Sequence, residues 1–230
     1  MDIRPTDRVL EIGSGNNPHS RSNVLCDKYL LSDAERAGRL VADRAIVVGD
    51  GERLPFKDRS FDYVIAKQVV EHMDDPETCF REMMRVSRRG GYIETPTEFQ
   101  ERINPEKTFH KWLVNVKGRT LYLKPKRPSD YLGIGPITQY LYHHDKEFQA
   151  FYVHHLDLFI VRYEWERVIR YQMLPANADF FLDFGSEEFQ QTALRPHRDR
   201  SWKRWVPPML KQALLPLYSR LVRRRSRKIA

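Results

Sequence analysis

Five short apolar runs in the first hundred residues suit one architecture: RVLEIG from Arg8, NVLCD from Asn23, AIVVGD from Ala45, FDYVIA from Phe61 and YIETP from Tyr92. Each has strand length and is almost continuously apolar, as strands buried on both faces of a parallel sheet are. Helix-like sequence separates them, so the expected fold is α/β with crossover helices. In the fourth crossover, DDPETCFREMMRVSRRGG, Asp75 suits an N-cap, Pro76 the first helical position and Gly90 the stop. Phe80, Met83, Met84 and Ser87 recur at helical spacing, and Arg85, Arg88 and Arg89 fit the negative end of the helix dipole. The first crossover is short. About ten residues separate Gly13 from the second run, where ~12 or more are normal when a helix intervenes. Its helix must be very short or absent.

After Pro96 the pattern changes. KWLVNVKGRTLYLKPK reads as a hairpin turning at Lys117-Gly118, and LDLFIVRYEW with ERVIRYQML as a second strand pair. Both would add antiparallel edges to the sheet, with loop and a short helix in PSDYLGIGPITQYLYHHDKEFQ between them. The expected division is a domain over 1–194, with a first half 1–97 and a second half 98–194, followed by an extension over 195–230.

Charge supports that last boundary. The formal charge is +8, but twelve of the 39 basic residues and one of the 31 acidic ones lie from Arg195 onward, giving +11 there and −3 in the body. Within the extension, Leu210, Leu214, Leu217 and Leu221 form one apolar stripe between tryptophans and arginines. Such a stripe over residues 202–230 suits an anionic membrane surface; packing on the domain is the equal alternative. Nucleic acid is the weaker reading, because the aromatic residues are not interleaved with the basic run. Cys26 and Cys79 lie in apolar segments without ligand spacing, which argues against a disulfide framework, a zinc site or any metal set. With no signal-like or spanning segment, the expected location is cytoplasmic, peripheral at the inner membrane face if the tail binds there.

The stretch LEIGSGNNPH carries the first chemistry. Gly13 and Gly15 permit close backbone approach to a ligand, and Asn17 tolerates a left-handed conformation before Pro18. A glycine pair alone is more often a plain turn. Asp27 ends the second run at the sheet edge where ligands bind, and a carboxylate there can accept both hydroxyls of a ribose. Taken alone it reads equally well as a surface acid or helix cap.

Taken together, LEIGSG, GDGERLPFKDRSFDYVIAKQVVEHMDDP and RVSRRGGYIETP resemble the class I S-adenosylmethionine-dependent methyltransferases, over residues 8–97. The likeness is to the methyltransferase type 11 group that includes the ubiquinone and menaquinone enzymes. It implies a Rossmann-like, mostly parallel sheet with antiparallel C-terminal strands, and S-adenosyl-L-methionine as cofactor. By resemblance Glu11 lies near the methionine amino group, and Gly13, Ser14 and Gly15 form the cofactor loop. Asp27 takes the ribose, and Asp50, Gly51 and Glu52 line the adenine. Ala66, Lys67 and Gln68 turn around the methionine part, with Glu71 and His72 near the methyl end, where His72 is usually architectural. The sulfonium and ammonium of this cofactor favour carboxylates, and without phosphate a third glycine matters less.

Methyl transfer to a hydroxyl calls for positioning and one base. The candidates are His72, Glu94 at the end of the fifth run, and His110 in NPEKTFHKWLV, with Trp112 as a stacking face. His154 and His155 flank a strand and suit surface or pairing positions. The acceptor implied is a sugar or lipid-linked glycan hydroxyl, with a small-molecule or quinone-type acceptor as the enzyme alternative. Two rivals remain. A nicotinamide dehydrogenase would show GxGxxG where Asn16–His19 stand, and a membrane-attached binding module would have no use for Asp27 and Asp50 together.

Overall fold

A computed structural model describes residues 1–32, 38–104 and 109–178. All five apolar runs are strands: β1 (Val9–Ile12), β2 (Val24–Asp27), β3 (Ala45–Val48), β4 (Phe61–Lys67) and β5 (Ser87–Pro96). They pair in parallel, and β8 (Ile160–Glu166) closes the far edge antiparallel to β5, giving the order β3-β2-β1-β4-β5-β8. The mostly parallel α/β sheet expected from sequence is therefore present.

The short first crossover contains no helix. Glu11 does the work of one: it is wholly buried on β1, and its Oε2 accepts from the His19 amide and the Ser22 hydroxyl, each at 2.6 Å. The chain is thereby folded back into β2.

Helix α1 (Pro76–Val86) starts as its sequence demands, with Pro76 in the first turn and the Asp75 carboxylate accepting from the Thr78 amide at 3.1 Å. Cys79, Phe80, Met83 and Val86 bury one face against the sheet. Its end differs from expectation. The helix stops at Val86, and Ser87 is already extended as the first residue of β5, so Arg88, Arg89 and Gly90 belong to the strand. Gly90 and Gly91 are there for proximity. A Cβ on Gly90 would lie 2.1 Å from the Trp165 carbonyl oxygen, and one on Gly91 would lie 2.1 Å from that of Val64.

The second half builds its own layer. Helix α2 (Glu98–Ile103) leads to the expected hairpin of β6 (Trp112–Lys117) and β7 (Thr120–Pro125). The second expected strand pair does not form. LDLF is a short helix, α5 (Leu156–Phe159), β8 joins the main sheet, and β9 (Tyr171–Met173) runs parallel to β7 in a separate three-stranded sheet. The reason is period: Val161, Tyr163 and Trp165 alternate inward along β8 and fill the core beside β5. In place of one short helix there are two, α3 (Gly135–His144) and α4 (Lys146–His154). His154 and His155 therefore end and cap a helix, not a strand.

Leu121, Leu123 and Val114 of the small sheet share one core with Phe80, Met83 and Val64, so the hairpin covers the α1 side of the main sheet. A second cluster of Ile103, Tyr152, Leu156 and Phe159 lies among the helices. Among the described residues no helix is long and apolar enough to cross a membrane. The extension over 195–230, with its leucine stripe, lies outside the described residues.

Candidate functional site

At the carboxyl end of β1, Gly13 and Gly15 both take left-handed backbone, with φ of 58° and 52°. A Cβ on Gly13 would meet Val69 Cγ2 at 2.4 Å, so this turn presses directly on the segment after β4. Between the two glycines, the buried Ser14 hydroxyl has no hydrogen-bond partner among the described residues. Asn17 is not left-handed: the only non-glycine residues with positive φ among the described residues are Arg59, Gln68 and Arg167. The following Pro18 explains this, since the residue before a proline is driven to extended backbone. What Asn17 contributes is its carbonyl, which accepts from Lys67 Nζ at 2.9 Å. The same ammonium lies 3.1 Å from Glu11 Oε1, so Lys67 ties the loop to the end of β4.

Along the edge, backbone amides hold the acids. Asp27 is buried and accepts from the Gly15 amide at 3.2 Å and the Tyr29 amide at 3.1 Å. Asp50 accepts from the Glu52 amide at 3.0 Å and pairs with Lys28 Nζ at 2.7 Å. Burial works to raise the Asp50 carboxyl, but Lys28 and the amide outweigh it and keep it below the usual carboxylate range. Gly51 is buried beside Met73, and the Glu52 side chain accepts from the amides of Asp74 and Asp75, at 2.6 and 2.9 Å. Glu52 thus fixes the approach to α1.

Beyond β4 lies a second group. Gln68 turns the chain with φ of 56°, and a single 3-10 turn over Val70–His72 follows. Glu71 is fully buried, with its Oε2 accepting from the Thr95 hydroxyl at 2.9 Å. Its carbonyl accepts from the Lys111 amide at 2.6 Å, which brings His110 alongside. The His72 ring stacks on Phe109 at 5.5 Å between centroids and meets His110 edge-on at 4.6 Å. His110 Nδ1 is 2.7 Å from Glu101 Oε1, and Glu101 Oε2 takes Lys126 Nζ at 2.5 Å. Burial pushes the Glu101 carboxyl up, yet His110 and Lys126 hold it below its ordinary value.

The structure therefore brings His72 and His110 together but not Glu94. Thr95 points to Glu71, whereas Glu94, one residue earlier in an extended strand, shares the opposite face of β5 with Tyr92, whose hydroxyl donates to it at 2.9 Å. Burial drives the Glu94 carboxyl up to about 7. Trp112 lies within β6, where its indole N–H donates to the Met73 carbonyl at 2.8 Å and its ring packs on the main core. Sequence reasoning missed Phe109 and Glu101, which touch His72 and His110, and Thr95 and Lys126, which hold Glu71 and Glu101 in turn.

Residues 10–94 match the sequence family described as a methyltransferase domain. The chain is 30% identical over 99 residues to a demethylmenaquinone methyltransferase of Streptomyces griseus, covering 40% of this chain and 43% of that one. It is 31% identical over 109 residues to the protein of the same name from Corynebacterium glutamicum, covering 46% and 47%. The chain thus spans less than half the length of these curated relatives. A solved structure described as a methyltransferase dependent on S-adenosylmethionine, possible histamine N-methyltransferase, from Thermotoga maritima shares 26% identity over 43% of this chain and 48% of that one. Its TM-score is 0.31.

Proposed function

We propose that residues 10–94, which match a methyltransferase domain, are a class I domain with S-adenosyl-L-methionine as cofactor, and that the chain methylates a hydroxyl on a small-molecule acceptor. One contact carries the reading: Val69, three residues before His72, packs against Gly13, so the glycine turn and the imidazole pair adjoin. In this proposal residues 1–97 hold the cofactor, residues 98–194 hold the acceptor, and 195–230 are a separate extension.

The residues suit this cofactor. The buried Ser14 hydroxyl lacks a partner within the described chain, and a ligand with polar groups would supply one. Asp27 accepts from the Gly15 and Tyr29 amides at the sheet edge, where a carboxylate suits a ribose hydroxyl. Asp50, kept ionised, can accept from the adenine amino group beside Gly51 and Glu52. Glu11 and Lys67 anchor the turn and set its distance from β4. When bound, S-adenosylmethionine supplies an electrophilic methyl group on a sulfonium sulfur.

On the acceptor side, Phe109 is 37% exposed and stacks on the His72 ring, which gives an acceptor one flat aromatic wall beside the imidazole pair. Glu101 fixes the proton of His110 on Nδ1, so Nε2 carries the lone pair toward the acceptor. The hydroxyl proton is handled at this imidazole pair, and Glu94 on the other face of β5 takes no part. The flat wall and the names of the relatives favour a quinone-type or other ring acceptor over the sugar or lipid-linked glycan suggested by sequence. If residues 202–230 bind an anionic membrane, truncation after Pro196 will abolish vesicle binding and leave cofactor affinity intact.

The test is calorimetry with S-adenosylhomocysteine and with NADH, followed by transfer of labelled methyl to a ring diol and to a sugar acceptor. Binding of the first ligand and labelling of the ring diol are expected. Failure to bind S-adenosylhomocysteine would overturn the reading; labelling of the sugar alone would reverse the choice of acceptor. Binding without transfer to either would favour the membrane-attached module.

A further inference from the structure

Three ligand-bearing side chains converge where the proposed acceptor lies. The carboxylate of Glu71 and the imidazoles of His72 and His110 each offer one donor atom, all within 4.8 Å of one another. We propose that this trio binds a divalent first-row metal ion, zinc in the first instance, with a coordination position open toward the acceptor.

Two imidazoles and one carboxylate form a donor set that zinc accepts at about 2.0–2.2 Å with the fourth position open. Donors sharing a tetrahedral ion at such bond lengths lie about 3.4 Å apart, so the cluster has to contract by roughly an ångström. Rotation of His72, the most accessible of the three, provides for this: its Nε2 is 4.0 Å from Glu71 Oε1. The surroundings have the features of a ligand shell. Glu101 holds His110 by Nδ1, the carboxylate–histidine arrangement that orients a ligating imidazole, and makes Nε2 the donor. Thr95 plays the matching part for Glu71 by donating to Oε2, which turns Oε1 toward His72.

Charge favours the same ion. Glu71 and Glu101 are both buried beside the two imidazoles, and Lys126 pairs with Glu101. Glu71 is fully buried, with the His72 ring 4.0 Å from its Oε1, and a divalent ion would offset the cost of burying that carboxylate. The cluster contains no cysteine, so the spacing of Cys26 and Cys79, which argued against a zinc site, does not bear on it.

The role assigned to the ion rests on the methyltransferase reading; its binding does not. The ion would withdraw charge from an acceptor hydroxyl at its open position and ease that hydroxyl's ionisation near neutral pH. With their lone pairs on the ion, the imidazoles do not take the hydroxyl proton as they would in the metal-free site; it leaves to water, an oxygen lone pair forms the bond to the methyl carbon, and the carbon–sulfur pair stays on sulfur.

Cobalt(II) titration of the full chain, followed by visible absorption and with zinc as competitor, tests the site without cofactor or acceptor. One equivalent should bind with an intense low-symmetry spectrum that zinc abolishes. His72→Ala should weaken binding 100-fold or more, and Glu101→Gln by about 10–100-fold, the usual effect of removing a partner of a ligating imidazole. Glu71→Gln, which keeps the side-chain shape, should weaken binding as His72→Ala does, and His143→Ala, at an exposed position on α3, should leave it unchanged. No binding by the wild-type chain, or equal losses in His72→Ala and His143→Ala, would overturn the proposal. Metal binding in a chain that fails to bind S-adenosylhomocysteine would uphold the cation site while removing the methyltransferase reading.

Discussion

The acids along the carboxyl edge of β1 to β4 and those of the second half are held by different means. Before Pro96, Glu11, Asp27, Asp50, Glu52 and Asp75 all accept from backbone amides within or beside their own loops. After it, Glu98 is held by Arg102, Glu101 by His110 and Lys126, and Asp130 by Lys124. Amide-held acids shape a loop that is ready for a ligand whatever else the chain does. Acids held by side chains depend on those partners being present, for Glu101 and Asp130 on partners from separate elements, so the second half is the more sensitive to single substitutions.

The largest effect that can break this contrast is expected at Lys124, which is 1% exposed and pairs with Asp130 at 3.0 Å. Losing one member of a buried pair costs about 3–5 kcal/mol. Lys124→Ala should fall at the low end, about 3 kcal/mol by denaturant unfolding, because Arg127 and Arg102 stay within 4 Å of Asp130. A loss under about 1 kcal/mol would mean that side-chain pairing does not hold this half.

Glu94 sits on the seam. Burial raises its carboxyl from the ordinary 4.5 to about 7, so between those values the folded chain keeps a proton that the unfolded chain has lost. Stability should therefore fall as pH rises from 4.5 to about 7 and level off above that. Each tenfold change in proton affinity is worth about 1.4 kcal/mol, so the contribution is at most about 3 kcal/mol. Unfolding curves across that range should lose this component in Glu94→Gln; an unchanged slope would assign it to another group.

Next comes the ligand face of the amide-held half. Asp27→Ala and Asp50→Ala should each weaken S-adenosylhomocysteine binding by roughly 1.5–3 kcal/mol, the worth of a hydrogen bond to a charged group. Wild-type affinity in both would show that these acids only shape loops. The smallest effect is expected at Gly13→Ala, where a side chain on left-handed backbone costs about 1–2 kcal/mol and the new methyl meets Val69. A melting temperature equal to wild type would mean that the turn relaxes freely.

The same contrast explains what the sequence revealed. Strands β1 to β5 and the start of α1 are local events: an apolar run, or an Asp-Pro pair at a helix entrance. The glycine turn after β1 was legible for that reason, whereas Asn17, expected to suit left-handed backbone, does not take it because Pro18 constrains the residue before it. Gly90 was misassigned because glycine serves equally as a helix stop or where two backbones touch, and only the position of Trp165 decides between them. In the second half, Glu101 and His110 are nine positions apart, on no shared helix face, and Lys126 follows a hairpin later. No periodicity links them. One local cue was present, Thr97 three residues before Gln100, where the Thr97 hydroxyl caps α2 by accepting from the Gln100 amide at 3.1 Å.

The direct splice of α1 into β5 also sets a rule for engineering this chain. With no connecting loop, a residue inserted anywhere between Val86 and Gly91 shifts the parity of the whole strand. Glu94 and Thr95 would exchange faces, putting a carboxylate in place of the hydroxyl that holds Glu71 and stranding a threonine beside Tyr92. Tags, fusions and permuted termini therefore belong in the turn at Gly118, and the helix–strand joint should be left at its native length.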